Sequence, residues 1–153
     1  LYMGEETFMP CTPKSVVTIL NSLNINLEGM DVVVIGRSNI VGKPAGALLL
    51  KENCTVTMCH SKTKNLREVC KRSDILVVAI GKAKFIDDSF VKEGAIVIDV
   101  GTNSVQGKIT GDVDFDKVID KASFVTPVPG GVGALTTTLL MKNACEAIEK
   151  YED

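Results

Sequence analysis

Short runs of apolar residues alternate along the chain with segments whose apolar positions recur at helical spacing. A strand that is apolar throughout is typical of a parallel sheet covered on both faces. Such runs predict strands at 32–35 (VVVI), 54–59 (CTVTMC), 75–80 (ILVVAI), 96–100 (IVIDV) and 123–126 (SFVT). Helical spacing predicts helices over 13–23, 45–52, 64–72 and 135–150, and one short helix within 85–94. The alternation predicts an α/β protein with a doubly wound (Rossmann-type), mostly parallel sheet and helices on both faces.

Two further features refine this picture. Thr12 followed by Pro13 predicts the N-cap and first residue of the first helix, because proline needs no hydrogen-bond acceptor there. Downstream, Gly107 lies between the β-branched residues Val105 and Ile109. This pattern predicts a small β-hairpin arm at about 102–111.

Composition excludes several classes of function. The chain has 153 residues, of which 17 are Lys or Arg and 19 are Asp or Glu, so we expect no nucleic-acid partner. No apolar run reaches the roughly 18 residues of a membrane span, and we expect no membrane association. One histidine and five cysteines without a C-x-x-C pair predict no metal site. The odd cysteine number favours a reducing compartment, the cytoplasm.

The turn after the first strand carries the strongest chemical signal. It contains Gly36, Arg37, Ser38 and Gly42, a variant of G-x-G-x-x-G with Ser38 at the middle glycine and the last glycine one residue late. A strand that turns into a helix offers free backbone N–H groups to a pyrophosphate. These four residues are candidate cofactor-binding residues. The alternative is that the glycines serve a tight turn alone.

The end of the second strand bears on the choice of cofactor. NAD sites carry an acidic residue about 20 positions after the glycines, but here the sequence reads Cys59, His60, Ser61, Lys62. Hydrogen-bond donors at His60 and Ser61, with the guanidinium of Arg37, suit a 2′-phosphate. The sequence therefore predicts NADP, with NAD possible. His60 alternatively is only a polar residue at the strand end.

Later strands end on the same predicted sheet edge. Gly81, Gly101 and Thr102 follow the third and fourth strands and either contact a cofactor or form ordinary turns. The loop at 127–133 (PVPGGVG) and the nearby Thr136 either cradle a ligand or connect strand to helix. No acid/base pair or Ser-His-Asp set stands out, so we predict no catalytic residue in this chain.

Five phrases together resemble the methylenetetrahydrofolate dehydrogenase/cyclohydrolase family, over nearly the whole chain and in the same order. They are PCTPKSVVTIL, VVVIGRSNIVGKP, CHSKTKNL, GAIVIDVGTN and TPVPGGVGALT. The resemblance implies that 13–153 is the C-terminal NAD(P)-binding domain and 1–12 the remnant of an inter-domain connection. The N-terminal folate-binding catalytic domain would then lie outside this chain and hold most of the tetrahydrofolate substrate.

The resemblance also implies an activity. The family oxidises 5,10-methylenetetrahydrofolate with NADP and hydrolyses the 5,10-methenyl product to 10-formyltetrahydrofolate, a part of one-carbon metabolism that serves purine biosynthesis. It also implies a homodimer formed through this domain. The alternative is a stand-alone dinucleotide-binding or assembly module without catalysis.

Family roles fall on particular positions of this sequence. The resemblance implies phosphate binding at Gly36 to Ser38, 2′-phosphate contacts from Arg37 and Ser61, a backbone contact at Thr102, and Thr136 close to the cofactor. Residues bordering the folate and nicotinamide would be Pro129, Gly130, Gly131, Val132 and Gly133.

The chain departs from the family pattern in three respects. The catalytic Tyr-x-x-x-Lys motif is missing, since the two tyrosines are Tyr2 and Tyr151, so we expect this chain alone to be inactive. Ser15 stands where glycine is usual, and Ala134-Leu135 replaces Pro-Met after PGGVG. Loss of that proline removes a rigid helix start, which bears on the folate-side contacts more than on the cofactor turn.

Overall fold

The computed structural model of the chain describes residues 8–151. Residues 1–7 of the predicted inter-domain remnant, which include Tyr2, lie outside the described residues. The helices are α1 (Cys11–Ser22), α2 (Gly42–Lys51), α3 (Leu66–Cys70), α4 (Phe115–Val118) and α5 (Val132–Tyr151). The strands are β1 (Asp31–Ile35), β2 (Thr55–Cys59), β3 (Ile75–Val78), β4 (Ile96–Asp99), β5 (Asn103–Val105), β6 (Lys108–Thr110) and β7 (Phe124–Val125).

Five strands form one parallel sheet in the order β2-β1-β3-β4-β7. From β1 the chain adds β2 on one side and then returns to place β3 on the other side. The direction of winding therefore reverses between β1 and β3, the point where doubly wound sheets bind ligands. The predicted doubly wound, mostly parallel sheet with a hairpin arm is confirmed, with β5 and β6 as the antiparallel hairpin.

Alternate residues of the strands pack into two cores. Val32 and Val34 face a core shared with α1, α2 and the start of α5, whereas Val33 and Ile35 face one shared with α3 and α4. Strands buried on both faces need apolar side chains at every position, which explains the uninterrupted ILVV run of β3. The sheet thus has helices on both sides, as predicted.

The bounds of several predicted elements are wrong. The first helix begins at Cys11 with Pro10 as its N-cap, so Thr12 is not the cap and Pro13 lies at the third helical position. Proline is tolerated there because the first four N–H groups of a helix have no partner within it. The last helix begins at Val132, three residues before its predicted start. Val132 and Gly133 therefore belong to α5, since burial of the Val132 side chain outweighs the low helix propensity of the glycines.

Two short segments also differ from the prediction. Residues 85–94 contain a single 3₁₀ turn at Asp88–Phe90, which the Asp87 carboxylate caps by accepting from the Ser89 amide. The helix α4 has four residues, too few to show helical periodicity, and was not predicted. Its Val118 is fully buried, so tertiary packing holds it in place.

Candidate functional site

A cleft of about 360 Å³ opens at the carboxyl ends of β1, β2 and β3. It lies where the direction of winding reverses, because its walls follow β1 on one side and β3 on the other. Its lining is Ile35, Gly36, Arg37, His60, Ser61, Thr63, Leu66, Ala79, Ile80, Lys82 and Phe85. Four of the predicted cofactor residues, Gly36, Arg37, His60 and Ser61, are thereby brought together.

The turn between β1 and α2 is built on two glycines. Gly36 has φ of +123°, which L side chains rarely adopt, and a β-carbon there would overlap the carbonyl oxygen of Ala79. A β-carbon on Gly42 would overlap the carbonyl of Gly36. Both glycines are therefore required for close packing of strand and helix, so the tight-turn role is present in the structure.

The same turn leaves backbone donors exposed. The Ser38 hydroxyl accepts from the amides of Val41 and Gly42 at 3.2 and 3.3 Å. Within the described residues, the amides of the exposed residues 37–40 donate no hydrogen bond. These residues directly precede the N-terminus of α2, the positive end of its dipole, which favours an anion at this turn. Ser38 shapes this turn with its side chain, while its backbone remains available.

Basic side chains dominate the charge of the cleft. Arg37 and Lys82 line it, and no carboxylate of the described residues does. Arg37 takes part in none of the salt bridges among residues 8–151, so its guanidinium has no anionic partner within that range. Lys82 lies with its ammonium 5.4 Å from the centre of the Phe85 ring. An anionic ligand would therefore enter a field of uncompensated positive charge.

His60 forms part of a hydrogen-bonded turn after β2. Its amide donates to the Thr63 hydroxyl at 2.8 Å, and its Nδ1 accepts from the Lys62 amide at 3.1 Å. With Nδ1 as acceptor, the neutral ring carries its proton on Nε2 and can donate it. His60 therefore orders the strand end and still offers a donor, while Ser61 is exposed at the cleft.

The end of β4 lies next to the end of β3, on the side away from β1. Gly81 is exposed between the lining residues Ile80 and Lys82, and Thr102 is exposed after the buried Gly101. Gly101 packs against the Asp112 side chain, which leaves no room for a β-carbon. Gly101 is thus required for packing, and neither it nor Thr102 lines the cleft.

The glycine-rich loop after β7 lies apart from the cleft. Pro129 and Gly130 are exposed, Gly131 is half-buried, and none of the five predicted substrate residues lines the cleft. Sheet order puts this loop two strands beyond β3, on the side of β4. A long ligand could span the sheet edge from β2 to β7.

Thr136 lies in the contact between α1 and α5. Its hydroxyl is 3.1 Å from the Ser15 hydroxyl and 2.9 Å from the Val132 carbonyl oxygen. Ser15 also donates to the Cys11 carbonyl at 2.9 Å. The serine that departs from the family pattern thus joins two helices through the hydroxyl of a predicted cofactor residue.

Sequence reasoning missed three residues of this region. Lys82 lines the cleft, and the buried carboxylates of Asp99 and Asp112 organise the loops beside it. Burial raises the pKa of Asp99 to about 6, against the lowering effect of three backbone N–H donors. For Lys82 the sequence offered one signal, its position directly after Gly81. For Asp112 it offered none, because Asp112 is 30 residues from the Lys82 amide that it contacts.

Among residues 8–151, no group of three or more His, Cys, Asp or Glu side chains could hold a metal ion. Within the same range no helix has both the length and the apolar character to cross a bilayer. All five cysteines are present as thiols, and burial raises the pKa of Cys70 to about 12.

A parallel, doubly wound sheet with a glycine turn into its second helix, and a basic cleft at the winding reversal, defines a Rossmann-type dinucleotide-binding domain. Comparison with known proteins identifies the family. Residues 10–152 match the model of the tetrahydrofolate dehydrogenase/cyclohydrolase, NAD(P)-binding domain. The chain belongs to this family.

Individual relatives agree with this assignment. The chain is 74% identical over all 153 residues to the bifunctional protein FolD of Clostridium botulinum (strain Alaska E43 / Type E3), covering 54% of that protein. It thus spans about half the length of the curated relatives it matches.

Solved structures show the same fold. The bifunctional FolD of Campylobacter jejuni superposes with a TM-score of 0.93 at 46% identity, over 95% of this chain and 52% of that one. The FolD of Trypanosoma brucei, complexed with NADP cofactor and inhibitor, gives 0.90 at 36% identity, over 98% of this chain and 54% of that one.

Proposed function

We propose that this domain binds NADP in the cleft at the ends of β1, β2 and β3. The observation that carries the proposal is that Arg37, which forms no salt bridge within the described residues, and the exposed Ser61 line the same cleft. No carboxylate of the described residues lines it. A 2′-phosphate gains charge-assisted hydrogen bonds there, whereas the NAD-type acidic residue would repel it. The NADP complex of the Trypanosoma brucei relative supports this assignment.

The pyrophosphate would bind to the turn that follows β1. The amides of the exposed residues 37–40 donate no hydrogen bond within the described residues, and the packing of Gly42 against Gly36 brings the α2 N-terminus close to them. His60 would add its Nε2 proton at the adenosine end. Gly81, Gly101 and Thr102 would contact the cofactor through their backbone along the ends of β3 and β4.

The nicotinamide and folate would lie beside the loop after β7. Pro129, Gly130 and Gly131 are accessible there, with Val132 and Gly133 at the start of α5. Thr136 would take part from the second turn of α5, although its hydroxyl already bonds within the α1–α5 contact. Contacts from this segment would hold the nicotinamide against a folate bound by another domain.

The whole protein would then be a bifunctional enzyme of one-carbon metabolism. When bound, NADP supplies the hydride acceptor for oxidation of 5,10-methylenetetrahydrofolate, and hydrolysis of the methenyl product gives the 10-formyl donor used in purine biosynthesis. The domain's share is to bind and orient the cofactor. Without a Tyr-x-x-x-Lys motif, the 153-residue chain would bind NADP but convert no folate.

A homodimer through this domain completes the proposal. The hairpin exposes the apolar residues Val105 and Ile109, and the edge strand β2 exposes Met58 beside Leu50 of α2. Edge strands with apolar side chains are commonly covered by a partner. A cytoplasmic location agrees with the five unpaired thiols.

Calorimetric titration of NADP and NAD into the chain tests the cofactor assignment. We expect tighter binding of NADP, and we expect Arg37→Ala to weaken NADP by about tenfold or more while NAD changes little, since a charged hydrogen bond contributes about 1.5–3 kcal/mol. Arg72→Ala is the matched control, because Arg72 is also exposed but lies beside the amino-terminal half of β1.

Two results would contradict the proposal. Equal affinity for NADP and NAD in the wild-type chain would remove the 2′-phosphate assignment. Turnover of 5,10-methylenetetrahydrofolate by the 153-residue chain alone would show that the division between domains is wrong.

A further inference from the structure

Asp112 accepts hydrogen bonds from three consecutive backbone amides of the loop that follows β3. The donors are the N–H groups of Ile80, Gly81 and Lys82, at 2.7, 2.9 and 2.7 Å. Asp112 is fully buried, and its side chain does not line the cofactor cleft. A single carboxylate thus fixes the backbone of a loop that contributes two lining residues of the cleft, Ile80 and Lys82.

The carboxylate also accepts a hydrogen bond from a side chain of the hairpin. Asn103, at the start of β5, donates its Nδ2 to Asp112 at 2.9 Å. Gly101 supports the side chain closely, since a β-carbon there would overlap the Asp112 carboxyl carbon. The loop after β3 and the loop after β4 are therefore joined through one side chain.

A second buried carboxylate fixes the backbone of Asp112. Asp99, at the end of β4, accepts from the amides of Gly101, Asp112 and Val113 at 2.9, 3.1 and 2.9 Å. The backbone position of Asp112 is thus fixed by a side chain of β4, an interior strand of the sheet. The loop at 80–82 takes its position from that rigid element.

The Asp112 side chain suits this place, because both of its carboxyl oxygens accept from the four N–H donors that face it. An asparagine has one acceptor oxygen, and its amide group would face an N–H donor. The loop would then lose at least one hydrogen bond and move away from its present position.

We infer that Asp112 is a positioning residue of the cofactor cleft, which sets nucleotide affinity by holding residues 80–82 and does so without touching the nucleotide. The inference rests on the proposed cofactor site. The wall it holds is shared by NADP and NAD, so Asp112 governs affinity for both and leaves the preference between them to Arg37 and Ser61.

Calorimetry with NADP and NAD on wild type and Asp112→Asn, with amide hydrogen exchange of the ligand-free proteins, tests this inference. We expect Asp112→Asn to weaken both nucleotides by about tenfold, with the NADP/NAD ratio changed less than about threefold. Exchange should accelerate at residues 80–82 more than in the sheet. Arg37→Ala changes the ratio instead.

Val118→Ala separates positioning from general stability. Val118 is fully buried in the core between the sheet and the helices α3 and α4, and it lies outside the cleft. This variant should therefore lower the urea midpoint and leave the affinities for both nucleotides within about twofold of wild type. Should Asp112→Asn fail to fold, Asn103→Ala replaces it. That variant removes one of the four donors and should weaken both nucleotides by about threefold.

The outcomes are distinct. Wild type that binds neither nucleotide overturns the proposed function and the inference with it. Wild type that binds NADP while Asp112→Asn, or Asn103→Ala in its place, binds equally tightly overturns the inference alone. An equal loss of affinity in Val118→Ala at matched stability would do the same, because the effect would then be structural.

Discussion

The backbone of Gly36, at the end of β1, occupies the space in which Gly42, at the start of α2, would carry a β-carbon. The strand and helix therefore meet at backbone distance. This contact fixes the turn of 37–40, whose amides are the proposed pyrophosphate donors. Its removal is expected to affect both stability and cofactor binding.

We predict that Gly42→Ala lowers the free energy of unfolding by about 1–3 kcal/mol, the usual cost of overpacking, and weakens NADP binding. Gly133→Ala is the control for stability, since no atom lies within 4 Å of a β-carbon added there. It should be neutral or stabilising by up to about 1 kcal/mol, because Gly133 is helical. Urea denaturation measures both. Equal effects of the two variants would contradict the packing argument.

Ser61→Asp is expected to reverse the cofactor preference. A carboxylate at this exposed position of the cleft would repel a 2′-phosphate and accept hydrogen bonds from the ribose hydroxyls of NAD. We expect NADP affinity to fall by about tenfold or more and NAD affinity to rise or hold, as measured by calorimetry. Ser104→Asp, on the exposed hairpin strand β5, adds the same charge away from the cleft and should change neither. A parallel loss of both nucleotides in Ser61→Asp would argue against 2′-phosphate binding there.

Asp99 is expected to make stability depend on pH in the mildly acidic range. Burial raises its pKa from 3.8 to about 6, so the folded state binds its proton more tightly than the unfolded state. Its contribution to stability is therefore complete below about pH 4 and is lost as pH rises to about 6. Relative to Asp99→Asn, the free energy of unfolding of the wild type should fall by up to about 3 kcal/mol over this window. The magnitude follows from a pKa shift of about two units at about 1.4 kcal/mol each.

Urea denaturation of both proteins between pH 4 and 7 provides the measurement, and the difference between the two curves isolates Asp99. Asp74, Asp87 and Asp114 have lowered pKa values and lose their stabilising contribution at more acidic pH, equally in both proteins. A constant difference across the window would contradict the raised pKa.

The Ser15 and Thr136 hydroxyls are expected to couple α1 to α5. A double-mutant cycle of Ser15→Ala and Thr136→Val should give an interaction free energy of about 0.5–1.5 kcal/mol, because the two hydroxyl oxygens lie 3.1 Å apart in a partly buried contact where either can donate to the other. Thr18→Ala and Thr138→Val form the control cycle. Those hydroxyls bond only their own helices, to the carbonyls of Lys14 and Ala134, and should be additive. Additivity of the first pair would remove the link between the helices.

Much of the fold was predictable because its signals are local. The ILVV run of β3 and the VVVI run within β1 are apolar at every position, as strands covered on both faces must be. The turn from Gly36 to Gly42 follows such a strand directly, which is enough to predict a phosphate-binding turn. His60 and Ser61 could be placed near it because parallel strands end at the same edge of the sheet.

Other features had no local signal. The four residues of α4 are too few for a helical period, and the helix exists because Val118 packs into the core. The start of α5 at Val132 depends on burial of that side chain, against the low propensity of the flanking glycines. Lys82 enters the cleft because the loop after β3 is drawn toward Asp112.

The sequence by itself determined the parallel sheet, the glycine turn and the absence of an acidic residue at the end of β2, because each depends on residues adjacent in the chain. Only the tertiary structure decided the hydrogen bond from the Asp112 amide to the Asp99 carboxylate and the hydroxyl contact of Ser15 with Thr136. Those contacts join residues that are 13 and 121 positions apart. Such partners are selected by three-dimensional packing and by the need to pair buried polar groups, which no local pattern of residues records.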